Sequence, residues 1–168
     1  MKKPPSLEEL HSSIRQACHT NIGVFENEFL CRSVGALDPS DPVTIRSGAS
    51  VAEVMQLLQD NRIGCVLVVS NAGVLQGIFT ERDYVLKVWG VEGADAQQIE
   101  NYLTTDPITV TPEETVAYVL NLMSLGGFRH VPIVDDEKKP IGVLSVKNIV
   151  DFMVHSFTQE LLDFEEEC

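Results

Sequence analysis

From Val51 onward, apolar residues fall at Val51, Val54, Leu57 and Leu58, the spacing of one helical face. Ser50-x-x-Glu53 stands at the start of that run as a capping box, its hydroxyl and carboxylate each placed to satisfy an orphan donor of the first turn. The period then changes. "CVLVV" from Cys65 and "LQGIF" from Leu75 are short apolar runs parted by the turn signal "SNAG", which predicts two strands. "ERDYVLKVW" from Glu81 predicts a second helix, and "PVTI" from Pro42 is a short extended piece before the first. The unit reads β-α-β-β-α.

It is written twice. Shifted by 65 positions, Pro42–Lys87 lies over Pro107–Phe152 without a gap. Pro42/Pro107, Thr44/Thr109, Val51/Val116, Ala52/Ala117, Val54/Val119, Leu57/Leu122, Val66/Val131, Val69/Val134, Gly77/Gly142 and Val85/Val150 are identical. The second copy's strands are "HVPIV" and "PIGVL", and its closing helix is "VKNIVDFMV". A copy of about 46 residues cannot bury a sufficient core alone. The expected fold is therefore α+β, two β-α-β-β-α repeats related by a pseudo-twofold axis. An extra N-terminal helix over 6–19 is expected from Ser6-x-x-Glu9 and the spacing of Leu7, Leu10, Ile14 and Ala17. The organisation predicted is an extension over 1–30, repeats over 31–90 and 107–157, a connection over 91–106 and an acidic tail over 158–168. A short helix through "DAQQIENYL" is expected in the connection.

The net charge of −13 argues against a nucleic-acid binder, which needs a surplus of Lys and Arg. No apolar run approaches the ~18 residues of a membrane span, and "MKKPPSLEELHSS" has no apolar core to make it a secretory signal. A cytoplasmic protein is expected. Cys18, Cys31, Cys65 and Cys168 show no C-x-x-C spacing, and disulfides are not expected. His11, Cys18 and His19 are too thin a basis for a metal site. Asp83 and His130 could pair as acid and base, but no nucleophile, phosphate loop or metal motif accompanies them, so no enzyme is expected.

One turn holds candidate chemistry. In "GIFTERDY", Gly77 lets another backbone or a ligand approach the strand, and Thr80 with Asp83 can cap the following helix. The same carboxylate can accept two hydrogen bonds from a ribose diol. The second copy keeps Ser145 but has Asn148 in place of the aspartate.

The tandem order, with "GIFTERD" in the first copy and "FRHVPIVD" in the second, resembles a pair of cystathionine-β-synthase (CBS) domains, a Bateman module, over roughly residues 31–157. The resemblance implies that Asp83 holds the ribose of an adenine nucleotide with support from Thr80. It implies an adenine slot from Pro107, Ile108 and Thr109 with Phe128, Arg129, His130 and Val131, the basic pair reaching phosphates. AMP, ADP or ATP is the ligand class implied, with S-adenosylmethionine or NAD as alternatives and no metal required. It further implies a homodimer through the closing helices and a regulated target protein. An interaction scaffold without nucleotide is the competing reading. The second turn, lacking the carboxylate and with "RIGCV" at Arg62–Val66 in place of a basic pair, is expected to be weak or empty.

Overall fold

Each long helix starts where a hydroxyl can close its first turn. In the computed structural model, which describes residues 27–155 with Glu8, Glu9 and Ser12, the Ser50 capping box is formed in both directions. The Ser50 amide donates to Glu53 Oε2 at 2.7 Å and the Glu53 amide to Ser50 Oγ at 3.3 Å. Glu8, Glu9 and Ser12 are helical, but the predicted 6–19 helix as a whole and the 158–168 tail lie outside the described residues. The described chain groups into two compact units. One is Asp41–Thr109 with Pro132–Val143; the other gathers the residues up to Ser40, Val110–Val131 and those from Leu144 onward.

In the first unit, β1 (Thr44–Arg46), β2 (Cys65–Val69), β3 (Leu75–Thr80) and β4 (Thr104–Thr105) form one sheet in that order. β1 runs parallel to β2, and the crossover between them is the helix Val51–Asn61. β2–β3 and β3–β4 are antiparallel. Val51, Val54 and Leu58 pack against Val66, Val68 and Phe79, while Leu67 and Ile78 join Cys65 and Val143 in a second cluster. All of β2 is buried, so its run is continuously apolar rather than alternating.

The connection departs from the sequence expectation. Instead of one helix there are two 3-10 turns, Ala94–Ala96 and Ile99–Asn101, separated by extended backbone at Gln97 and Gln98. Tertiary pairing overrides the helical spacing: the Val51 amide donates to the Gln97 carbonyl at 2.9 Å and the Ile99 amide to the Ala49 carbonyl at 2.9 Å. Ile99 is thereby fully buried.

In the second unit, the helix Asn27–Cys31 and a 3-10 turn Val34–Leu37 accompany the helix Val116–Gly126. Thr115 Oγ1 caps that helix through the Tyr118 amide at 3.3 Å, and Gly127 ends it with φ 67°. A last helix covers residues 146–155. Val34, Leu37, Val116, Val119, Leu122, Leu144 and Ile149 are buried. β5 (His130–Val134) and β6 (Pro140–Ser145), most of whose residues are grouped with the first unit, form a separate two-stranded sheet. Pro107–Thr109 join no strand, although their counterparts in the first copy belong to β1 and its approach.

Cys31 is disulfide-bonded, against the expectation from the sequence, while Cys65 is free and buried. No helix among the described residues is long and apolar enough to cross a membrane.

Candidate functional site

Gly77 makes the first turn possible. A Cβ there would lie 2.6 Å from Leu103 Cδ1 and 2.9 Å from the Thr104 carbonyl oxygen, so the backbone that approaches it is β4. β3 then continues through buried Ile78 and Phe79 to Thr80. Here the predicted capping box is formed. The Thr80 amide and hydroxyl donate to Asp83 Oδ2 at 3.0 and 2.6 Å, and the Asp83 amide donates to Thr80 Oγ1 at 3.2 Å. The other carboxylate oxygen, Oδ1, takes the Lys87 ammonium at 2.7 Å, and Lys87 also donates to the Tyr102 carbonyl at 2.8 Å.

The helix leaving this turn is not the uniform α-helix predicted. Only Glu81–Asp83 is α-helical; Tyr84–Val88 is a π-helical turn closed by the Trp89 amide on the Tyr84 carbonyl at 2.9 Å. Such widened turns are rare and recur at functional sites. The turn buries Val88 and leaves Val85, Leu86 and Trp89 exposed.

The second copy repeats the cap closely. The Ser145 amide and hydroxyl donate to Asn148 Oδ1 at 2.9 and 2.5 Å, and the Asn148 amide donates to Ser145 Oγ at 3.1 Å. What lies beyond the cap differs. Asn148 Nδ2 donates to Ser40 Oγ at 3.3 Å, where Asp83 accepts an ammonium. Phe152, the counterpart of Lys87, stacks on Phe29 at 5.9 Å with the Arg32 guanidinium 5.0 Å above its ring.

The remaining predicted residues fall in two places. Thr105 pairs with Gly77 and the Asp106 amide donates to the Gln76 carbonyl at 3.2 Å, so the chain reaches Pro107 from the Gln76 end of β3 rather than from Thr80. Pro107 is half-buried; Ile108 and Thr109 are exposed. In the second unit, the Phe128 ring lies where a Gly126 Cβ would be, 2.1 Å away, so Gly126 is what allows this ring position. Arg129 is exposed, and its carbonyl accepts the Val146 amide at 3.0 Å. His130 is half-buried at the start of β5, and the Val131 side chain is fully buried. Sequence reasoning missed Lys87. Its signal was the Asp83-x-x-x-Lys87 spacing, which brings acid and base together on a helical face.

Cys65 is no competing nucleophile. Burial in the apolar strand pushes its thiol up to about 12, where the thiolate is suppressed near neutrality.

The comparisons agree with this architecture. The family model of the CBS domain matches residues 34–90 and again 99–155. An uncharacterized protein of Methanopyrus kandleri is 31% identical over 139 residues, covering 80% of this chain and 71% of its own. A CBS-domain-containing protein of Agrobacterium tumefaciens superposes with a TM-score of 0.66 at 30% identity, over 71% of this chain and 98% of that one. The CBS domain pair of protein MJ0100, crystallised with 5′-methylthioadenosine and S-adenosyl-L-methionine, gives a TM-score of 0.65 at 27% identity, over 73% and 99% of the two chains.

Proposed function

This chain belongs to the CBS-domain family and carries two copies of the domain in tandem, and from that premise we propose that it is a non-catalytic regulatory module whose Thr80–Asp83 turn holds the ribose of an adenosine-bearing ligand. One observation carries the reading. Asn148 closes the second turn with the same hydrogen bonds as Asp83 closes the first. Asp83 and Asn148 stand at the third helical position and accept the same amide and hydroxyl of the N-cap residue, so the cap's hydrogen bonds do not require a negative charge at position 83. A carboxylate that the cap does not require is suited to a diol, which donates two hydrogen bonds. The MJ0100 pair supports the adenosyl part of the reading, since both of its ligands carry that moiety.

Pro107, Ile108, Thr109 and Phe128 are proposed as contacts to the base. Arg129 and His130 are proposed as contacts to phosphate in AMP, ADP or ATP. Val131, with its side chain buried, is left a backbone role. The exposed Val85, Leu86 and Trp89 are proposed to meet a second copy of the chain, and ligand-dependent change in the module to act on a target protein. Such control requires a ligand that binds two states unequally.

The test is the thermal midpoint with adenosine, AMP, ADP, ATP, NAD, 5′-methylthioadenosine and S-adenosylmethionine, for the wild type and Asp83→Asn. A ligand at about 100 times its dissociation constant adds roughly 2.7 kcal/mol, a shift of several degrees. The expected result is a shift with at least one adenosyl compound that Asp83→Asn removes. No shift with any of them would sink the reading and leave the interaction scaffold.

A further inference from the structure

We propose that Lys87 is a positioning residue that gates the ribose contact, holding the Asp83 oxygen that a diol must reach and yielding it when an adenosine-bearing ligand binds. The inference rests on the ribose reading above. A carboxylate offers about four acceptor positions. Oδ2 already receives the Thr80 amide and the Thr80 hydroxyl, and Oδ1 receives the Lys87 ammonium at 2.7 Å. One position is left, and a diol needs two. Opening the cap would cost the turn its geometry, so the contact that gives way is the ion pair.

Lys87 can let go without losing its place. Its ammonium also donates to the Tyr102 carbonyl at 2.8 Å, which keeps the side chain docked on the connection after Asp83 is released. Its side chain is 41% exposed, so water can take the vacated position. The second copy supplies a control within the same chain. There the carboxylate is Asn148 and the lysine is Phe152, so charge and countercharge are absent together. A lysine that merely supported a helix would have no reason to follow the aspartate in this way, because Lys147 and Asp151 already form such an i,i+4 pair in the second copy.

The gate is electrostatic, so it loosens with salt. Adenosine, which is neutral, separates this effect from phosphate attraction. Calorimetric titration with adenosine would compare wild type, Lys87→Met, Lys87→Gln and Asp83→Ala at about 50 and about 500 mM salt. Removing a half-exposed ion pair corresponds to about a two- to threefold gain in affinity. Lys87→Met is expected to bind that much tighter at low salt, and the wild type to approach it at high salt. Lys87→Gln keeps a donor for the Tyr102 carbonyl and is expected to match Lys87→Met, which guards against a folding defect in the latter.

Adenosine binding that Asp83→Ala abolishes while both Lys87 variants bind no tighter than wild type would overturn the gate and leave the ribose reading standing. Binding unaffected by Asp83→Ala, or absent from wild type and Lys87 variants alike, would overturn the ribose reading and the gate with it.

Discussion

The two strand-to-helix turns, at Thr80–Asp83 and Ser145–Asn148, are built by the same three hydrogen bonds with distances that agree to about a tenth of an ångström. They diverge only beyond the cap. The first leads into a π-helical turn with an ion pair at its mouth; the second leads into a helix whose corresponding position is an aromatic contact. Whatever is common to both turns is explained by capping, and whatever differs has to be explained by something else. The carboxylate of Asp83, the ammonium of Lys87 and the widened turn are in the second class.

The strands paired with those that feed the turns differ as well. β2 opens on buried Cys65 where β5 opens on half-buried His130, and the largest expected effect comes from that pair. Burial holds the Cys65 thiol neutral in the folded chain up to about 12, against an ordinary 9.0. Between those values the folded chain binds the thiol proton and the unfolded chain has lost it. Stability is therefore intact below pH 9.0 and falls as pH rises through that window, with a limiting slope of about 1.4 kcal/mol per pH unit. Urea midpoints from pH 8 to 11 should show this fall in the wild type and a flatter limb in Cys65→Val. Equal limbs would mean that the thiol reaches water in the folded chain.

Next in size is the ligand effect of making the first turn resemble the second. Asp83→Asn keeps an acceptor for Thr80 and removes the charge-assisted hydrogen bond to a ribose, a change of roughly 1.5–3 kcal/mol in affinity. At least a tenfold loss for the adenosyl ligand is expected by calorimetry. A similar loss from Asn148→Ala would erase the distinction between the turns. A comparable effect on stability is expected at Gly77. Gly77→Ala places a methyl against the Thr104 carbonyl, a backbone atom that cannot rotate aside, and should cost about 1–3 kcal/mol by urea denaturation.

How much of this the chain announced follows from what each feature depends on. The repeat, the two helix caps and the paired strands rest on local spacing, and all of them can be read from residues such as Ser50, Glu53, Thr80 and Asp83. The features that were hidden depend on residues distant in sequence. Gln97 and Gln98 leave the helical conformation because Val51 and Ala49 bond the backbone on either side, at Gln97 and Ile99. Gly77 shows only that something approaches; that it is β4 requires the fold. The π turn is a one-residue shift in hydrogen bonding that no side-chain period reports. Lys87 is the exception: its spacing to Asp83 is local, but a surface ion pair is usually worth little, so the spacing alone marks no function.

The smallest expected effect is the one on which the comparison most depends. If charge at position 83 is surplus to the cap, exchanging acid and amide at either turn should leave stability nearly unchanged. Asn148→Asp keeps an oxygen for the Ser145 amide and hydroxyl, and Ser40 can turn its hydroxyl to donate to the new carboxylate. Asp83→Asn loses an ion pair whose lysine is 41% exposed. Both variants should therefore stay within about 0.5–1 kcal/mol of wild type, measured by urea denaturation without ligand. A much larger cost for Asp83→Asn alone would make the carboxylate a structural requirement of the π turn. The ribose reading would then lose its main support even if a ligand were found, because the charge would be explained by the fold that surrounds it.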